Sequence, residues 1–232
     1  MPIFQLNKKM ARIVILQRIE LANPLLKKLR KSFGRYIFTN FLSKYLINEK
    51  LIGQNYYKAM SQEYMSIEKF IEENDKLFLS IGSGLGGLEA IINKNKVDIS
   101  LHFIEKNYIS KKVKYGWDDK NLEAYNDLEL QKDFLTNNGI DLKNLKIIDY
   151  DVGTFPEIKF DFIISLLSLD YHYDFNLYLD YLKKVSNKNT KIIFDTIRPD
   201  YFTKVFKNVS IIKSNDLTVH RSKRILCREF II

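Results

Sequence analysis

The chain reads as an α/β protein: a doubly wound, mostly parallel sheet of seven strands whose last two form a consecutive pair, preceded by an N-terminal helical segment. Three observations predict this. The short apolar run Leu77-Phe-Leu-Ser-Ile81 ends in alternating glycines, Gly82, Gly84 and Gly86, and a helix-forming stretch follows. A second apolar run, 99–104, ends in Glu105, 19 residues after Gly86. From residue 77 onward, strand-like runs alternate with helical ones, the pattern of a parallel sheet covered by helices. A glycine turn between strand and helix supplies positive φ and lets a ligand approach bare backbone. An acid at the tip of the second strand is placed to bind the two hydroxyls of a ribose.

The elements follow in order. Residues 1–74 are predicted helical, because apolar residues recur at helical spacing from Met10 to Ile19 and from Tyr36 to Leu46. Pro24 after Asn23 marks a break or a helix start, and Gly34 and Gly53 read as further breaks. A third helix is expected over 56–73 and no strand before 77. Strands are then predicted at 77–81, 99–104, 145–150, 160–167 and 191–197. The run 160–167 is nearly all apolar, which suits a central strand. Helices are expected over 121–137, closed by Asn138-Gly139, and over 175–185, with a short one opened by Pro199. Two last strands, 209–213 and 224–230, form the terminal pair. The expected division is a cap and substrate region over 1–74 and a nucleoside-binding domain over 75–232.

Hydrophobic residues make up 46% of the 232, enough for a real core and too many for a disordered chain. No run reaches the roughly 20 apolar residues of a membrane-spanning helix, and no signal peptide is read at the N-terminus. The single cysteine, Cys227, has no partner for an internal disulfide and reads as a packed residue on a late strand. A reducing, cytoplasmic setting is expected. The net charge of +9 is lopsided: residues 1–60 hold twelve Lys/Arg against two acids, and the rest is close to neutral. Such a field attracts phosphate, anionic lipid or nucleic acid, and it also fits a solvated helix face.

These motifs resemble the class I S-adenosylmethionine-dependent methyltransferases. The resemblance rests on Ser80-Ile-Gly82-Ser-Gly84-Leu-Gly86, on Glu105, and on Ile147-Ile-Asp149-Tyr-Asp151 followed by Pro156 and Phe160-Asp161-Phe-Ile-Ile-Ser165. It covers about residues 76–232. It implies a glycine turn under the methionine and ribose of S-adenosyl-L-methionine, Glu105 on the ribose hydroxyls, and Asp151 facing the adenine amino group. The implied cofactor set is Ser80, Gly82, Ser83, Gly84, Gly86, Glu105, Lys106, Asp151, Val152 and Ser165. In that family the last two strands are inserted antiparallel at one edge, and N-terminal helices cap the active site. One position departs: the family has an acid two residues before the first glycine, and Ser80 supplies no charge there.

Ligands of open α/β sheets bind beyond the carboxyl ends of the strands. The segment after the fourth strand, Asp170-Tyr-His172-Tyr-Asp174, is therefore expected to face the transferred methyl group. His172 is the general-base candidate, with Asp170 or Asp174 to orient it, against the plainer reading of a loop histidine beside acids. Tyr171, Tyr173 and Arg198 are assigned to the acceptor, Arg198 gripping a phosphate or carboxylate or, equally, forming a salt bridge at a helix start. Trp117, in the polar loop after the second strand, lies against the adenine, closes over the acceptor, or simply anchors its loop. The expected reaction is methyl transfer to a small, anionic molecule, first a hydroxyl of a sugar or sugar phosphate, with no metal. Gly82-x-Gly84-x-x-Gly87 also satisfies the dinucleotide fingerprint, so an NAD(P)-dependent oxidoreductase is the alternative enzyme. A non-catalytic protein that binds an anionic partner is the other alternative. Nucleic acid is not expected, because no Asn-Pro-Pro-Tyr-type tetrapeptide follows the fourth strand. Peripheral membrane contact is open through the basic helix bearing Leu25, Leu26, Leu29, Phe33, Ile37 and Phe38, as is a homodimer.

Overall fold

The computed structural model describes residues 2–38, 41, 43–110, 124–215 and 221–231, and of Arg35 and Tyr36 only the backbone. Trp117 and His220 lie outside the described residues. Among the described residues, seven strands form one sheet in the order β3-β2-β1-β4-β5-β7-β6. They are β1 (Leu77–Ile81), β2 (Ser100–Glu105), β3 (Leu145–Asp149), β4 (Phe162–Ser165), β5 (Lys191–Thr196), β6 (Phe206–Ser214) and β7 (Lys223–Phe230). β1 to β5 pair in parallel, and β7 lies antiparallel between β5 and β6. The terminal pair is therefore present. It runs three residues further at the start of β6 than the apolar pattern implied, because exposed edge positions carry lysine and asparagine.

The helices are α1 (Lys8–Gln17), α2 (Pro24–Ile37), α3 (Ser43–Tyr45), α4 (Glu49–Met65), α5 (Gly87–Asn95), α6 (Leu128–Asn137), α7 (Leu179–Val185) and α8 (Pro199–Phe202). Their starts are capped as the residue types require: side chains of Asn7, Asn23, Asn48 and Asp127 accept backbone N–H groups of Met10, Leu26, Leu51 and Leu130. Two expectations about the cap need correcting. The third N-terminal helix begins at Glu49, because Asn48 caps it there, and it ends at Met65. Gly53 is not a break but an interior position of α4. The carbonyl of Phe4 lies 2.4 Å from where its Cβ would stand, so only glycine lets the N-terminal segment cross the helix. Likewise 175–185 is not one helix: a single tight turn, Phe175–Leu177, precedes α7.

Strand alternation splits the core into two layers. Phe78, Leu101, Phe103, Phe162 and Ile164 face α1, α4, α5 and α6. Leu79, Ile81, Ile104, Ile163 and Phe194 face α7, α8 and the buried Cys227 of β7. One apolar cluster runs from Phe4 and Met10 through Tyr56 and Met60 to Phe162, so the N-terminal helices and the sheet share a core.

The cap is also tied to the sheet by charge. Arg224 of β7 is fully buried. Its Nε and Nη2 donate to the two carboxylate oxygens of Asp195, both at 3.0 Å. Its Nη1 donates to Glu63 of α4 at 2.6 Å and to the Ser66 hydroxyl at 2.7 Å. Lys213 of β6 adds a second cation on Glu63 at 2.9 Å. Burial alone would raise the Glu63 carboxyl, but Arg224 and Lys213 hold it down at about 2. Asp195 also accepts the Leu167 N–H at 3.1 Å, so the same network fastens the loop after β4.

Candidate active site

The glycine turn stands at the carboxyl end of β1, and Gly82 and Gly84 have φ of +67° and +66°. A left-handed backbone favours glycine, and the surroundings require it a second time. A Cβ on Gly82 would fall 1.9 Å from the Ser168 hydroxyl, and one on Gly84 2.3 Å from the Gln17 amide oxygen. The side of these glycines where a Cβ would stand is thus covered by the chain's own side chains, one from the loop after β4 and one from α1. The positive φ expected of the turn is present, and close packing of the chain's own side chains is a further reason for glycine there.

Beyond the turn lies a crevice lined by Gly82, Glu105, Lys106, Tyr150, Tyr173 and Tyr178, among others. Glu105 closes β2 and is held from behind. Its Oε1 accepts the Gly84 N–H at 2.6 Å and the Ser83 hydroxyl at 3.1 Å. Burial pushes its carboxyl up to about 8, although the Gly84 N–H and Ser83 hydroxyl pull the other way. Lys106 donates to Asp151 at 2.5 Å, and its ammonium sits 4.5 Å from the Tyr150 ring centroid. Val152 is exposed beside this pair.

Three expected contact residues stand behind the crevice instead. Ser165 is buried, donating to the Ile81 carbonyl at 2.7 Å and accepting the Leu169 N–H at 2.9 Å. Both its hydrogen-bonding roles are used inside the protein, so it positions the β4 loop. Gly86 packs against Leu135 and Phe103. Ser80 is buried and donates to Glu89 Oε1 at 2.5 Å.

Glu89 is a residue that sequence reasoning passed over. It is the third residue of α5, buried, and its other oxygen, Oε2, has no hydrogen-bond partner. Burial pushes its carboxyl up to about 7, against the Ser80 hydroxyl. A carboxyl group thus stands next to Ser80, where the resemblance implies an acid. The available signal was an acid in the first helical turn behind a glycine loop, a placement so common as a helix-dipole partner that it drew no notice. Tyr150 and Tyr178 were also missed, since aromatic residues in loops give no periodic signal.

The loop after β4 folds around the Ser168 carbonyl, which accepts the N–H groups of Tyr171, His172 and Tyr173 at 3.1, 2.7 and 3.2 Å. Tyr173 enters the crevice, while Tyr171 stacks edge-on against the exposed His172 at 5.0 Å. Asp170 is fully buried, and Thr196 and Arg198 donate to it at 2.5 and 2.6 Å. Thr196 and Arg198 thus hold the Asp170 carboxylate inside the loop, away from the surface. Arg198 bonds Asp170 and Asp174 and stacks 4.4 Å over the Tyr201 ring. The salt bridge expected at this helix start is therefore present, with two carboxylates on one guanidinium. His102, on β2, has its pKa lowered to about 4, first by burial.

No family model matches the chain, and no curated protein matches it. Solved structures do. The mitomycin 7-O-methyltransferase MmcR superposes with a TM-score of 0.52 at 9% identity, covering 96% of this chain and 67% of that one. A putative O-methyltransferase from Nostoc punctiforme gives a TM-score of 0.49 at 14% identity, over 94% of this chain and 72% of that one. The precorrin-6y C5,15-methyltransferase of Geobacter metallireducens gives 0.46 at 13%, over 80% and 90%. With its sheet order, its antiparallel β7 and its superposition on MmcR, the chain has the Rossmann-like fold of the class I methyltransferases.

Proposed function

We propose that the chain is an S-adenosylmethionine-dependent methyltransferase that acts on a small-molecule acceptor, first a hydroxyl of a sugar or sugar phosphate. The observation that carries this reading is the Glu105 carboxylate, held at the crevice by the Gly84 N–H and the Ser83 hydroxyl. A carboxylate at the end of β2 accepts two vicinal hydroxyl protons of a ribose, and Lys106, Tyr150 and Tyr178 line the same crevice. The side chains that line the crevice fit such a nucleoside, with an acceptor for its diol and aromatic walls for its base, and the buried Glu89 carboxyl stands behind them against Ser80. Glu89 would restore the charge that Ser80 lacks. An antiparallel β7 favours this reading over a dinucleotide-dependent oxidoreductase, whose six strands run parallel.

The bound cofactor supplies a methyl group already activated on a sulfonium sulfur. The chain's own residues then have to orient the acceptor hydroxyl and remove its proton. His172 is the base in this reading. It is exposed next to Tyr173, which reaches the crevice, on a loop pinned by Ser165, Asp170 and Asp195. Tyr171 and Tyr173 flank it as acceptor contacts.

Thermal unfolding with S-adenosylhomocysteine, NAD and NADP tests the cofactor. A ligand at a hundred times its Kd adds about 2.7 kcal/mol of stability. A shift with S-adenosylhomocysteine alone is expected, and a shift only with a nicotinamide dinucleotide would overturn the reading. His172→Ala should keep that shift and lose roughly 10²–10⁴-fold in methyl transfer to the acceptor. Undiminished turnover would remove His172 as the base.

A further inference from the structure

We infer that α2, with Phe41 and residues 43–46, forms a docking surface for an anionic lipid membrane. The segment is fastened to the body by Leu26 and Phe38, both essentially inaccessible, and by Arg12 Nε donating to the Ser43 hydroxyl at 3.1 Å. Around those anchors it turns apolar side chains outward. Leu25, Phe33, Phe41 and Tyr45 are 59, 54, 60 and 69% exposed, and Ile37 and Leu46 accompany them. The Phe41 and Tyr45 rings stand 5.2 Å apart as one aromatic surface. A run of exposed apolar side chains this dense marks an interaction site.

Charge identifies the partner. Between Glu20 and Glu49 the sequence holds six Lys/Arg and no acid. Lys27, Lys28, Lys31 and Lys44 are exposed beside the apolar residues. A second copy of this chain, docking by a two-fold axis, would bring cations against cations with no acid to offset them. Nucleic acid would match the charge and could stack on Phe33, Phe41 or Tyr45, but it offers nothing to Leu25, Ile37 and Leu46. A bilayer surface matches both: anionic headgroups for the lysines, and the headgroup–acyl boundary for mixed aromatic and aliphatic side chains. The described residues hold no helix long and apolar enough to cross a membrane, so the contact is peripheral. The segment leads back to α1, whose Gln17 covers Gly84 of the glycine turn. An acceptor carried on a membrane would thus be met near the crevice.

The test is co-sedimentation of the full chain with phosphatidylcholine vesicles, with and without phosphatidylglycerol. Binding is expected only to the anionic vesicles and should vanish at high salt. The pair Lys27→Glu and Lys31→Glu should weaken it by more than tenfold, at about fivefold per lost cation. The pair Phe33→Ser and Phe41→Ser should weaken it independently, with an unchanged circular dichroism melt. Failure of the wild-type chain to sediment with anionic vesicles would overturn the inference. So would binding that neither pair reduces, tighter binding to a single-stranded oligonucleotide than to vesicles, or a solution dimer that Phe41→Ser dissociates. None of these outcomes depends on the cofactor.

Discussion

Arg224→Met is expected to lower the unfolding free energy by about 3–5 kcal/mol, the cost of leaving buried carboxylates without their cation. Arg224 is the only side chain that bonds both Asp195 at the end of β5 and Glu63 in α4 among the described residues. Methionine fills similar volume but leaves Asp195 fully buried beside the Asn215 amide and the Leu167 N–H alone. Glu63 retains Lys213 and suffers less. The deficit has a pH sign. Glu63 is held at about 2 in the native protein, below its ordinary 4.5, so its stabilising effect is present above about pH 4.5 and is lost as pH falls through about 2. In the variant that contribution shrinks, and the gap between variant and native chain should narrow in acid. Urea unfolding followed by circular dichroism, at neutral and acid pH, reads both effects. Arg224→Lys should fall between, since an ammonium keeps the charge but not the three-way fork. A loss under about 1 kcal/mol in Arg224→Met would mean that apolar packing alone joins the cap to the sheet.

Glu105→Ala should abolish the thermal shift produced by S-adenosylhomocysteine while leaving the apo chain folded. The variant removes the acceptor at the crevice and also frees the Gly84 N–H, so Glu105→Gln is the companion. Glutamine keeps an acceptor oxygen for Gly84 yet carries no charge for a diol. The Glu105 and Glu89 carboxyls are raised by burial from an ordinary 4.5 to about 8 and about 7. A raised acid stabilises the fold fully below about pH 4.5, and that contribution is lost as pH climbs through the folded value. The apo chain should therefore melt at lower temperature as pH rises from about 5 to about 9. Ligand binding should show the opposite trend. A ligand that takes up the ionised carboxylates displaces protons, so its affinity should rise with pH, by up to about tenfold per pH unit for each group. Glu105→Gln should flatten the binding profile, and Glu89→Gln should flatten the melting profile. A Glu105→Gln chain that binds S-adenosylhomocysteine as tightly as the native one, at every pH, would remove Glu105 from the site.

The crevice was legible where chemistry leaves a local mark. Gly82, Gly84 and Glu105 sit next to one another in space because a strand, a tight turn and a neighbouring parallel strand leave them no other place. Glu89 was not legible. Its distance from Ser80 depends on how α5 settles against β1, which no run of residue types declares. Asp170 and Arg198 carried the residue types of catalysis and recognition, yet they neutralise each other behind the loop. Their 28-residue separation in the chain hid that pairing.

The order of helices and strands, the glycine turn with its acid, the closing strand pair and the lopsided charge all followed from the sequence alone. Each rests on local rules: periodicity of apolar residues, backbone freedom of glycine and plain charge count. Only the tertiary structure decided which polar side chains face the crevice and which are spent on one another. It also decided that Gly53 admits a crossing chain, that Arg224 locks cap to sheet, and that Leu25, Phe33 and Phe41 remain uncovered. The physical reason is that burial and partnership are properties of distance in space, and desolvation rewards or penalises a charge only after the whole chain has closed around it.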